Sequence, residues 1–149
     1  MGFLNRLKTP KATISITMDK NDNNLREPLA GTFNVSSTEE FDADEIRVEL
    51  WVNEFTRATG KVDLGGGNRK TVTLQQDNKL HNGKVAVAGR MRITEGFNKD
   101  FPFSINLPPG VPPSYRGTNA TTTWRMKGVV AVKGRPDITS HDMEIQVNS

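Results

Sequence analysis

From Ala12 onward, apolar side chains recur at every second position and almost nowhere at every third or fourth. In "ATISITM" Ile14, Ile16 and Met18 share one side, and Thr13, Ser15 and Thr17 the other. "LAGTFNVSS" aligns Leu29, Gly31, Phe33 and Val35. "DEIRVELWVNEF" places Ile46, Val48, Leu50 and Val52 inward and Arg47, Glu49, Trp51 and Asn53 outward. Successive side chains of an extended chain point to opposite faces, so this alternation specifies strands with one face buried. The pattern continues in "RKTVTLQQ" (Val72, Leu74), "KVAVAGRMRI" (Val85, Val87, Met91, Ile93) and "FPFSINL" (Phe101, Phe103, Ile105, Leu107). It ends with "TTTWRMKGVVAVKG" (Trp124, Met126, Gly128, Val130, Val132) and "DMEIQV" (Met143, Ile145, Val147). Gly89, inside one of these runs, reads as a bulge or a close approach.

No stretch offers a helical apolar stripe. Ser37 and Glu40 have the spacing of a helix capping box, but Asp42 and Asp44 are poor helix formers and the alternation from Ile46 prevails. Residues 37–43 therefore read as a loop. Many short strands separated by turn residues predict an all-β, antiparallel, immunoglobulin-like sandwich of about seven to nine strands.

One stretch interrupts the strands sharply. "LPPGVPPSYRG" (Leu107–Gly117) holds Pro108, Pro109, Pro112 and Pro113. Proline donates no ladder hydrogen bond and pushes the residue before it toward extended geometry. The segment thus reads as a stiff connector crossing from one sheet to the other. Tyr115 is expected to pack its ring on the end of the core and to place its hydroxyl on a backbone group.

The 149 residues suit one domain over 12–149 preceded by an N-terminal arm over 1–11. The absence of cysteine removes disulfides and thiolate chemistry and fits a reducing, cytoplasmic setting. The net charge of +3 is mild, and basic residues are not interleaved with aromatics, which argues against nucleic acid. No apolar run has the length of a bilayer span. Phe3, Leu4 and Leu7 with Arg6 and Lys8 read as an arm that packs on the domain or frays; membrane contact is its minor alternative.

The connector and its flanks carry a family resemblance. Phe101-Pro102-Phe103, Leu107-Pro108, Pro112-Pro113-Ser114-Tyr115 and then Trp124 early in a long strand resemble the signature of the arrestin clan's N-terminal domain. Gly31–Val35 and "IRVELWVNEFT" are similar to further strands of that family. The chain looks closest to prokaryotic members, including sporulation-control proteins, which also begin with a short Phe/Leu/Lys segment. The resemblance implies a single arrestin-type sandwich acting as a non-catalytic adaptor or scaffold. Phosphate sensing does not carry over: Lys8 and Lys11 lie near the first strand, but there is no adjacent lysine pair.

Candidates for chemistry are few. "GGGNRKT" (Gly65–Thr71) lacks the Gly-Lys-Ser/Thr end of a phosphate loop and reads as a hairpin turn. Ser140, His141 and Asp142 are sequence neighbours on an extended chain and point alternately apart, unlike a triad. "DKNDNN" (Asp19–Asn24) lacks the glycine and glutamate of a calcium loop. No catalytic, metal or cofactor site is expected. Binding is instead assigned to two surfaces. Thr13, Ser15 and Thr17 mark Ala12–Met18 as an edge strand that leaves its backbone open to a partner strand, with Ser15 as the donor. Arg125, Lys127 and Lys133, joined by outward Trp51, Val129 and Ala131, mark a mixed basic and apolar sheet face for a protein partner, acidic or phosphorylated. Self-association is the alternative, and a hydrolase or metal-dependent enzyme a distant third.

Overall fold

The computed structural model describes residues 8–149, so the Phe3–Leu7 part of the arm lies outside the described residues. The strands are β1 (Ala12–Met18), β2 (Asp22–Asn24), β3 (Leu29–Ser37), β4 (Phe41–Gly65), β5 (Asn68–Ala88), β6 (Met91–Ile93), β7 (Asn98–Ile105), β8 (Tyr115–Arg116), β9 (Ala120–Val132), β10 (Ile138–Thr139) and β11 (Met143–Asn148). There is no helix among the described residues. One sheet has three strands in the order β1-β3-β7. The other follows the path β2-β11-β9-β4-β5, with β6 pairing β4 and both β8 and β10 pairing β9. All pairings are antiparallel except β2 with β11, which is parallel.

The two sheets press their apolar faces together, as the alternation requires. Leu29, Phe33, Val35, Phe101, Phe103 and Ile105 come from the small sheet. Ile46, Val48, Leu50, Val52, Trp124, Met126 and Val130 meet them from the large one. Within the small sheet, register sets Phe33 opposite Phe101. At Gly128 the two layers come into close contact. A Cβ there would lie 2.6 Å from the Phe33 ring, so only a hydrogen fits.

The proline connector does what its stiffness implies. It carries the chain from the end of β7, in the small sheet, to β8 and β9 in the large one. Its anchoring, however, differs from expectation. Tyr115 is 59% exposed, and its ring lies over Gly117 rather than on the core. The anchors are its neighbours. Buried Trp124 donates its indole N–H to the Pro112 carbonyl at 2.9 Å. The Ser114 N–H donates to the Val147 carbonyl at 2.7 Å, and the Val147 N–H returns a bond to Ser114 Oγ at 2.9 Å. Tyrosine lost to tryptophan because the strand alternation turns Trp124 inward, while Tyr115 sits in a two-residue strand exposed at both positions.

Three other local readings change. "RKTVTLQQ" and "KVAVA" are parts of one strand, β5, and Val72 and Leu74 do not reach the core. Gly89 makes no close approach; it ends β5 before β6 begins. The loop after β3 shortens to residues 38–40, because Phe41 and Ala43 bury and β6 pairs with them. Buried Ser37 closes that turn by accepting the Glu39 N–H at 3.1 Å and donating to the Glu39 carbonyl at 2.6 Å.

Candidate functional site

β1 ends the small sheet, so one side of its backbone has no strand beside it. Thr13, Ser15 and Thr17 are exposed, as their alternation implies. The direction of the backbone groups corrects the choice of donor. The Thr38 N–H donates to the Lys11 carbonyl, and the Asp19 N–H donates to the Ala30 carbonyl. Both bonds extend an unbroken β1–β3 register. In an antiparallel ladder the residues bonded to the partner alternate with those facing away. Odd-numbered residues, Ser15 among them, therefore point their N–H and C=O groups at β3. The open edge is formed by Ile14, Ile16 and Met18, whose side chains face the core.

A cleft of about 290 Å3 opens beside that edge. Ile16, Thr17 and Met18 line one wall, and Met143, Glu144 and Ile145 of β11 line the other. β11 is open here as well, because β2 pairs with it only over Gln146–Asn148. A slot with apolar patches (Ile16, Met18, Met143, Ile145) among polar groups (Thr17, Asn21, Asn23) is thus bounded by two strands with unpaired edges. Lys20 and Glu144 at its rim are already engaged, with Glu27 at 2.8 Å and Arg116 at 3.1 Å.

The sheet face chosen from sequence is less basic than its letters suggest. Lys127 lies 4.0 Å from Glu49 and 5.9 Å from the Trp51 ring centroid. Arg47 on the same face binds Glu49 at 2.9 Å and Glu45 at 3.4 Å. Val129 is buried, not exposed. Lys133 lies apart, in a surface hollow shared with Asp42, Asp44 and Arg90. Arg125 is exposed with no ion pair among the described residues. Arg125 and Lys127 are neighbours on one face of β9, and Lys133, beyond the end of that strand, is not gathered with them.

Near the arm, Arg135 donates to Glu39 at 2.6 Å and to the Lys8 carbonyl at 3.0 Å, while the Lys11 N–H donates to Glu39 at 2.8 Å. The Arg135 guanidinium, joined by the Lys11 N–H, holds the Glu39 carboxyl below the usual glutamate range. This cluster ties residues 8–11 to the turns after β3 and β9. Ser140 Oγ accepts the Gly128 N–H at 2.7 Å and donates to the His141 carbonyl at 3.2 Å, so backbone groups engage the hydroxyl. Among the described residues, no three His, Cys, Asp or Glu side chains converge in a way that could hold a metal ion.

The largest feature that sequence reasoning missed is the far end of the β4–β5 hairpin. β9 accompanies β4 only as far as the Thr56–Ala120 pair. Beyond it, Arg57–Gly65 pair with Asn68–Gln75 alone and project from the body as a two-stranded ribbon. Gly65, Gly66 and Gly67 at its tip all have positive φ, at 90°, 61° and 82°, which suits glycine and little else.

Two face-packed sheets with no helix among the described residues, the smaller ending in an open strand beside a cleft, define an all-β sandwich domain. The sequence matches the family Arrestin (or S-antigen), N-terminal domain, over residues 14–149, and the chain belongs to that family. No curated protein matches the sequence. The fold is similar to that of Spo0M, sporulation control protein, from Bacillus subtilis, with a TM-score of 0.65 and 18% identity over 95% of this chain and 51% of that one. At that identity the likeness is one of fold, and this chain spans about half the length of that structure.

Proposed function

We propose that this domain is a non-catalytic adaptor that captures an extended segment of a protein partner by strand addition at the β1 edge. The observation that carries this reading is the cleft in which the open-edge residues Ile16 and Met18 lie across from the unpaired half of β11. A strand entering there gains main-chain hydrogen bonds from β1. Its inward side chains meet Ile16, Met18, Met143 and Ile145, which supply selectivity for alternating apolar residues. Arg125 and Lys133, which form no ion pair among the described residues, are the cations best placed to add preference for an acidic or phosphorylated partner, since Lys127 lies 4.0 Å from Glu49. The arrestin-family fold accords with the adaptor role.

The test separates two proline variants. Ser15→Pro removes a β1–β3 bond and destabilises the domain. Ile16→Pro removes a donor of the open edge without taking a bond from the ladder. Extended peptides selected from a random display library against the domain should carry alternating apolar residues and should lose binding to folded Ile16→Pro. Peptides that bind the folded variant as well as the parent would reject the edge.

Self-association is the second reading, favoured by the outer edge of β5, which ends the large sheet and is 21 residues long. A sedimentation coefficient that does not change with concentration would exclude it.

A further inference from the structure

The projecting ribbon has two unlike faces. On one, Ala58 pairs with Leu74, Gly60 with Val72 and Val62 with Lys70. Leu64 bulges out just before the tip. Val62, Leu64 and Leu74 are 46%, 64% and 68% exposed. On the other face, Arg57 pairs with Gln75, Thr59 with Thr73, Lys61 with Thr71 and Asp63 with Arg69. An isolated two-stranded hairpin is marginal in water, and exposed leucines on it have no core to join.

Charge is as uneven as hydrophobicity. Of the chain's 20 basic and 17 acidic residues, four (Arg57, Lys61, Arg69, Lys70) and one (Asp63) lie in the ribbon, leaving 16 of each elsewhere. The ribbon thus carries the whole formal charge of +3. None of its four cations is in an ion pair among the described residues, and Asp63 spends one oxygen on the Gly65 N–H at 2.8 Å.

We propose that this ribbon is a docking arm for an anionic lipid bilayer surface. Its apolar face, Val62, Leu64, Val72 and Leu74, enters the headgroup boundary. The flexible stems of Lys61, Arg69 and Lys70 let their charges reach lipid phosphates around the ribbon's edges. Depth is limited by the backbone. Both strands of the ribbon have an unpaired outer edge, which only water or headgroups can satisfy, so the arm lies at the interface and does not enter the hydrocarbon. A second copy of the chain is a poorer occupant. A ribbon about 30 Å long and 10 Å wide offers roughly 300 Å2 of face, well below the ~800 Å2 per partner of a stable interface. Stacking two such ribbons would also bring like charges together.

The full chain, sedimented with vesicles of phosphatidylcholine plus phosphatidylglycerol, should bind and be released by added salt, and should ignore pure phosphatidylcholine vesicles. Leu64→Ser with Leu74→Ser should weaken binding about tenfold or more. Lys61→Gln with Arg69→Gln and Lys70→Gln should do the same by removing the attraction to anionic lipid. Both variants should keep the parent's circular dichroism and Tm, because the altered side chains touch no core. Absence of binding to the anionic vesicles, or unchanged binding by either variant, would overturn the proposal. So would a concentration-dependent dimer that the leucine variant dissolves, since a second copy would then cover the face.

Discussion

The β4–β5 hairpin passes through two environments that differ in one respect, the presence of a third strand. Over Ile46–Val52, β4 lies between β5 and β9, and its inward residues are wholly or almost wholly buried. Over Arg57–Gly65 it has β5 alone, and every residue is exposed. Alternation and pairing persist through both halves. Burial does not, because a strand pair becomes part of a core only where a second layer covers it. The body of the molecule therefore holds the stability, and the ribbon is a surface feature attached to it.

This contrast orders the expected effects of mutation. Trp124→Ala, in the body, should cost about 3–5 kcal/mol in chemical denaturation, through the emptied core and the lost bond to Pro112. A loss as small as that of a surface change would show that the connector is not docked as described. Ser114→Ala removes the hydroxyl shared by Val147 and Ile145, and should cost about 1–2 kcal/mol by the same measurement.

Glu39→Gln should cost about 1 kcal/mol, since its ion pair with Arg135 is only partly screened by solvent. Its pH dependence has a definite sign. A carboxyl held below its unfolded value stabilises fully above that value, and the stabilisation drains away as pH falls through the folded one. The parent should thus lose stability in acid more steeply than the glutamine variant. Parallel acid limbs would place the pair outside the folded-state energetics.

Replacing Arg57–Gln75 with a short Asn-Gly turn that joins the Thr56–Gln76 pair should change Tm least, leaving stability within about 1 kcal/mol of the parent. A large loss would mean that the ribbon supports the body after all.

Much of this architecture was legible in the letters. Inward positions such as Phe33, Leu50, Trp124 and Ile145 followed from alternation alone, and the crossover followed from proline chemistry. What stayed hidden depends on neighbours. Val72 and Leu74 alternate as well as Val85 and Val87 do, yet only the latter pack against the core. A signal for the difference existed: Gly60 and Lys70 occupy the would-be inward positions, and cations gather symmetrically about three glycines. At the β1 edge, side-chain alternation identified the strand, but the direction of its N–H groups required the register with β3. Tyr115 misled because tyrosine commonly packs its ring and bonds its hydroxyl, while here the indole twelve residues beyond Pro112 takes that part.

Native-state hydrogen exchange resolved along β4 addresses the division of the molecule most directly. Amides of Ile46–Val52 should exchange only through global or near-global opening, whereas those of Lys61–Leu64 should exchange orders of magnitude faster, through local fraying of the ribbon. Equal protection along the whole strand would contradict it, because the ribbon would then share the body's stability.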